Sequence, residues 1–150
     1  MSDFSALIGQ VLKSSKFKVK KKKLLMFAES IGAKQAQFND PNDPIAHPAY
    51  ANAYVLPALM GVTEAKNADG SQLIKNPLKI LHGGQVYSYP KGAPPIKDGD
   101  KLITTPKIKN IEVKSNGMML ITCTAETKQK DSEAVVCSSE IGIVVMPGGF

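Results

Sequence analysis

A chain of 150 residues fits one domain and is long enough to bury a real core, and its 43% apolar and 21% charged residues are ordinary for a globular protein. The net charge of +6 is carried by lysine alone, since the sequence holds no arginine, which argues against a reader of DNA bases that relies on arginine's bidentate fork. No apolar stretch is long enough to span a bilayer, Met1-Ser2-Asp3-Phe4 does not read as a secretory signal, and two cysteines without CxxC spacing speak against zinc or redox chemistry, so we expect a cytoplasmic protein off the membrane with free, buried thiols at Cys123 and Cys137.

In chain order, Phe4, Leu7, Ile8, Val11 and Leu12 recur at helical spacing and predict a helix over residues 3–12, with Ser2 or Asp3 as its cap. Phe17 and Val19 alternate with lysines, which suggests a short strand with one wet face. Leu24, Leu25, Phe27, Ala28 and Ile31 form an apolar stripe over residues 22–31, and Gly32 is a natural stop. Pro41, Pro44 and Pro48 punctuate a loop. Residues 49–60 are apolar but interrupted by Pro57, and read as a short helix or irregular segment packed on the core. Residues 63–77 are polar around an Asp69-Gly70 turn, the expected mobile loop.

From residue 78 onward the pattern is β, with strands expected near 78–89, 100–114, 118–127 and 133–146. A one-residue slip would turn every side chain to the other face, so apolar parity constrains the register. A three-residue loop, Ser115-Asn116-Gly117, sets Val113 against Met119 and Ile111 against Ile121, with Gly117 in the left-handed conformation. Apolar parity changes between Ile108 and Ile111, which places a bulge near Lys109 or buries both faces there. A loop centred on Lys130 would pair Ala125 with Val135, Met119 with Ile141, and Cys123 directly with Cys137. Helices followed by a long antiparallel meander make an α+β domain.

Lys16, Lys18 and Lys20 to Lys23 crowd one short segment. This is either a solvated strand end and first helical turn, or a docking site for something acidic, such as a phosphate-bearing cofactor or an acidic partner. With Phe17 as its one interleaved aromatic, the run offers no stacking platform for successive bases and does not suit nucleic acid. Only His47 and His82 are available as imidazole bases, and a structural histidine is the default for either. There is no GxSxG, and no phosphate-loop or dinucleotide glycine pattern. Both cysteines fall on the expected core face, where a thiolate nucleophile is not formed. Nothing in the chain points to a metal.

Three segments carry a resemblance. Phe27-Ala28-Glu29-Ser30-Ile31-Gly32 resembles the aromatic-Ala-x-x-x-Gly segment on the first helix of MaoC-like hydratases and dehydratases. Leu81-His82-Gly83-Gly84-Gln85 is similar to the LHGxQ strand in the N-terminal half of two-repeat (R)-specific enoyl-CoA hydratases, and Asp98-Gly99-Asp100 to the lead-in of that family's next strand. The resemblance covers residues 16–150. It implies a hot-dog fold, a long curved antiparallel sheet wrapped around a helix, and two such units with acyl-CoA bound between them. Acyl-CoA is the implied ligand or substrate, and no further cofactor is implied. In a catalytic unit the first helix is followed by Gly-Asp-x-Asn-Pro-x-His, whose Asp and His activate the water that adds to a 2-enoyl group. Here Ala33 stands in the place of that Asp and Phe38 in the place of that His.

The resemblance therefore implies a non-catalytic, acyl-CoA-binding unit, a heterodimer partner of a catalytic MaoC-like subunit, with His82, Gly83, Gln85, Tyr54 and Leu56 as candidate substrate contacts. Two alternatives stand beside it. One is a self-sufficient homodimeric hydratase or thioesterase that uses His82 or His47 with Asp100 or Glu140. The other is a non-enzymatic binder of acyl-CoA or another lipid. In each, a long sheet edge needs a partner.

Overall fold

A computed structural model describes residues 4–150. Its α-helices and strands follow in the order β1 (Ser15–Lys18), α1 (Lys21–Ser30), α2 (Ala36–Asn39), α3 (Ala51–Leu59), β2 (Ile80–Ser88), β3 (Lys101–Val113), β4 (Met119–Gln129) and β5 (Val135–Val145). The strands form one antiparallel sheet in the order β1-β3-β4-β5-β2. Alternation decides its faces: Met119, Ile121, Cys123 and Ala125 of β4 are buried, while Glu126 and Lys128 are exposed on the other side.

The sheet curls around α3, grown from the segment that the sequence left open between helix and irregular structure. Ala51, Tyr54, Val55, Ala58 and Leu59 of α3 are buried. Full burial of a side chain such as Val55 or Leu59 contributes about 1.5–3 kcal/mol, enough to outweigh Pro57 inside the helix. The chain continues past Leu59 as a 3₁₀ turn, Met60–Glu64. This is the hot-dog architecture.

Helix α1 lies where its stripe predicts, with Leu24 and Ala28 buried. Its first turn is closed from outside: the Lys21 amide donates to Asp98 Oδ1 at 2.6 Å. Gly32, at φ +68°, ends it, as the Gly32 and Ala33 amides donate to the carbonyls of Glu29 and Ala28.

The β3–β4 hairpin matches expectation, with Val113 opposite Met119, Ile111 opposite Ile121, and Gly117 at φ +79°. The bulge also falls as expected, as a register shift between Ile108 and Asn110. Both cysteines are free and buried.

Three expectations need correction. The helix expected over residues 3–12 is a single 3₁₀ turn, Ser5–Leu7, and residues 1–3 lie outside the described ones. Gly9 turns at φ +86°, and the next residues pair with β3: Gly9 donates to the Ile108 carbonyl at 2.8 Å, Ile108 to the Gln10 carbonyl at 3.0 Å, and Leu12 to the Pro106 carbonyl at 2.9 Å. The backbone of β3 beyond β1 needs partners, and that demand outweighs helical spacing.

The β4–β5 register is the second correction. Cys123 lies opposite Ile141, Cys137 opposite Thr127, and Ala125 opposite Ser139, so the thiols are not cross-strand neighbours. A shift near Thr127 and Lys128 turns both Val136 and Cys137 inward. Parity fixes which face a residue takes but not which same-face residue it meets, and the bulge absorbed the difference. Third, the loop over residues 63–77 is anchored. Its Leu73 and Ile74 are 1% and 3% exposed, and the amides of Lys75 and Asn76 both donate to the Gly149 carbonyl.

Candidate functional site

At the end of the sheet where β2 finishes and β3 begins, the loop before α3 and the connection over residues 90–99 enclose a cavity of about 180 Å³. His47, Pro48, Tyr54, Tyr89, Ile96 and Val136 are among the residues that line it. Pro90, Pro94 and Pro95 line the connection's side and fix its backbone. The connection is tied to the loop by the Ala46 amide on the Ile96 carbonyl, 2.8 Å, and by the Lys97–Asp43 ion pair, 2.6 Å. The cavity is largely apolar with a few convergent polar groups, the usual composition of a small-molecule site.

Tyr54 supplies the first polar group. It is 1% exposed, and its hydroxyl lies beside the Tyr89 hydroxyl and the Cys137 thiol. Burial above all, then those neighbours, holds its pKa far above the ordinary tyrosine value. Burial raises Tyr89 as well, and Tyr89 donates its hydroxyl proton to the Pro48 carbonyl. Both phenols therefore stay neutral hydrogen-bonding groups at physiological pH.

His47 is held as a cap. Its Nδ1 accepts from the Ala49 amide at 3.1 Å and so closes the 3₁₀ turn Pro48–Tyr50 that leads into α3. With Nδ1 accepting, the neutral ring carries its proton on Nε2. A base needs a free nitrogen lone pair, and this ring offers none while the cap is intact. The Phe38 ring packs edge-on against it, with centroids 4.8 Å apart. Phe38 is 8% exposed, and half-buried Ala33 accepts a hydrogen bond on its carbonyl from Asn39 Nδ2 at 2.8 Å. Neither Ala33 nor Phe38 offers a group that moves a proton.

Sequence reasoning missed Asn52. From the first turn of α3 its Oδ1 accepts from Gln85 Nε2 at 3.0 Å and from the Tyr87 hydroxyl at 2.8 Å, while its Nδ2 donates to the Ala49 carbonyl at 3.1 Å. The amide thereby ties strand β2 to the start of the central helix. The available signal was a single amide inside an otherwise apolar run. Burial pushes the Tyr87 pKa up to about 12, so it remains a donor.

Of the candidates from sequence, His47 and Tyr54 both line the cavity, whereas exposed Gln85 is not among its lining residues and bonds Asn52 instead. Leu56 packs, partly buried, against the core. His82 is exposed near the opposite end of β2, about 20 Å from Tyr89 at strand spacing. Gly83 sits at a register shift, where a Cβ would meet the Gly142 carbonyl oxygen at 3.1 Å. The carboxylates proposed to work with a histidine have other partners: Asp100 Oδ2 accepts from the Lys97 amide and Gln129 Nε2, each at 2.9 Å, and Glu140 pairs with Lys109 at 2.5 Å. Among the described residues neither of the two hydrogen-bonds or ion-pairs with a histidine.

Strand β2 is an outer strand of the sheet, paired only with β5 among the described residues. Leu81 and Val86 on it are 52% and 64% exposed. No helix among the described residues is long and apolar enough to cross a membrane.

Comparison with known proteins adds the family. No curated protein matches the chain. Among solved structures, the C-terminally truncated HadBC (3R-hydroxyacyl-ACP dehydratase) complex from Mycobacterium tuberculosis has a chain that superposes with a TM-score of 0.71 at 13% identity, covering 92% of this chain and 96% of that one. A MaoC-like dehydratase from Rhodospirillum rubrum gives 0.67 at 19% identity, over 95% and 94%. The ChsH1-ChsH2 complex from Mycobacterium tuberculosis gives 0.62 at 12% identity, over 93% and 98%. These likenesses establish the fold. The model of the family described as FAS1-like, dehydratase domain region, matches residues 6–138, and the chain is therefore a member of that family, with the hot-dog fold of MaoC-like dehydratases.

Proposed function

We propose that this chain is the acyl-thioester-binding, non-catalytic unit of a two-unit enoyl-thioester hydratase or 3-hydroxyacyl dehydratase. One observation carries the reading: at the two positions where the resemblance expects a water-activating Asp and His stand Ala33 and Phe38, and the Phe38 ring packs against the capping histidine that lines the cavity. The unit keeps the fold and an apolar cavity while lacking a carboxylate–imidazole pair at that place. Acyl-CoA is the proposed ligand, with Tyr54 and Gln85 on its path.

The open edge of β2, with exposed Leu81 and Val86, supports a partner that adds its own strand there. The HadBC and ChsH1-ChsH2 structures are complexes, and we carry that organisation over as a heterodimer with a catalytic MaoC-like subunit. Co-expression with a MaoC-like subunit that retains the Asp/His motif tests the pairing. A stable 1:1 complex by size-exclusion chromatography with light scattering is expected. A homodimer that exchanges with no such subunit overturns it.

A further inference from the structure

A second cavity, of about 430 Å³, lies beside the segment that leads into β2, and Phe4, Asn67, Asp69, Leu73, Lys75 and Phe150 line it. It shares no lining residue with the cavity at His47, and the acyl reading makes no use of it. Small-molecule sites run to about 300–1,000 Å³, so this volume is of the right order. At about 30 Å³ per water-sized unit it has room for roughly 14 non-hydrogen atoms. Backbone bonds hold its walls. Lys66 bridges to Gln72, and the Asn67 amide donates to the Ser71 carbonyl at 2.8 Å, which closes a tight hairpin. Leu73 follows, 1% exposed, its amide on the Ala65 carbonyl at 2.9 Å. The Lys75 amide donates to the Gly149 carbonyl at 2.8 Å, and this brings Phe150 to the hairpin.

Two features say what fits. The first is apolar. Phe4 and Phe150 are half-buried, and among the described residues neither ring meets another aromatic ring, so both are open to an apolar group. The second is a separated pair of charges. Asp69 Oδ1 accepts from the Ser71 amide at 2.9 Å and from the Ser71 hydroxyl at 2.6 Å, while its Oδ2 takes no such bond among the described residues. The Ser71 hydroxyl and amide above all, and the Lys75 charge in smaller part, hold the Asp69 carboxyl below the usual carboxylate range. Lys75 enters none of the ion pairs among the described residues, so its ammonium stands more than 4.0 Å from that carboxylate. A ligand with only an anionic group would suit Lys75 and face Asp69, and one with only a cationic group would do the reverse. The complement is one small molecule that carries both charges a short distance apart, beside an apolar body.

We propose that this cavity binds a free α-amino acid with an aromatic or large branched side chain, its ammonium on Asp69, its carboxylate on Lys75 and its side chain against Phe4 and Phe150. The site stands independently of the acyl-thioester reading. Calorimetric titration of the full chain compares L-phenylalanine with 3-phenylpropionate and phenethylamine, which each lack one charge, and with glycine, which lacks the side chain. Saturable binding of L-phenylalanine is expected, with each of the other three at least about tenfold weaker. Asp69→Ser and Lys75→Gln alter exposed side chains, so the fold should tolerate both. Each should weaken L-phenylalanine at least about tenfold, Asp69→Ser without weakening 3-phenylpropionate and Lys75→Gln without weakening phenethylamine. Saturating L-phenylalanine should also raise the denaturation midpoint of the unaltered chain. No saturable binding of L-phenylalanine, an equal affinity for any of the three analogues, or an affinity that neither variant moves overturns the site.

Discussion

The Phe38 ring stands edge-on to the His47 imidazole, 4.8 Å between centroids, on the side of a histidine whose Nδ1 already holds the Ala49 amide. On the proposed reading Phe38 stands at the position of the family's histidine, and His47 beside it caps the turn that leads into α3. His47→Ala should therefore act on stability, costing about 1–3 kcal/mol through the lost cap and lost ring contact. His47→Asn, which restores a capping acceptor, should recover part of that loss. Urea denaturation of the three proteins measures both.

Asn52 predicts a second stability effect. Asn52→Ala removes one donor and one doubly used acceptor, and leaves the Gln85 amide and the Tyr87 hydroxyl without their partner. A loss of about 1–3 kcal/mol is expected. In a cycle with Tyr87→Phe the two changes should be non-additive, because they break the same bond. Additive losses would mean that the amide does not couple strand β2 to the helix.

Alkaline pH should destabilise the fold through buried acids. Burial pushes the Cys123 thiol up to about 11 from 9.0. Between those values the unfolded chain has released the proton and the folded chain still holds it. The stability is fully present below pH 9 and falls as pH rises towards 11, by about 3 kcal/mol at most for this group. Tyr87, raised from 10.0 to about 12, extends the decline in the same direction. Denaturation midpoints measured from pH 8 to 11 should fall, and Cys123→Ala should flatten the first part of the curve.

The β2 edge gives a test of association. Val86→Lys places a charge on an outer-strand side chain that is 64% exposed, so the folded unit should tolerate it within about 0.5 kcal/mol. Binding to the catalytic subunit should weaken at least about tenfold if β2 is the joining edge. Unchanged affinity by titration calorimetry would move the interface elsewhere.

Much of the sheet was legible because alternation is a local signal. Val113 against Met119 follows from parity and a three-residue loop, and the bulge near Lys109 from the parity change between Ile108 and Ile111. What was not legible depends on partners distant in sequence. Residues 9–12 surrender helical spacing to the unpaired backbone of β3. Cys123 meets Ile141 because a bulge at Val136 resets a register that parity leaves open. At the site, Tyr54 and His47 were readable as residues, but their meeting across the cavity was not. Asn52 was invisible because its role exists only once β2 lies over the start of α3.

Turnover of a 2-enoyl thioester by the isolated chain, against turnover by its equimolar mixture with a catalytic MaoC-like subunit, tests the central claim most directly. The account predicts no hydration above buffer for the chain alone, and hydration by the mixture that vanishes when the catalytic subunit's own Asp or His is replaced. Hydration by the isolated chain that is lost in His47→Ala or His82→Ala would contradict it.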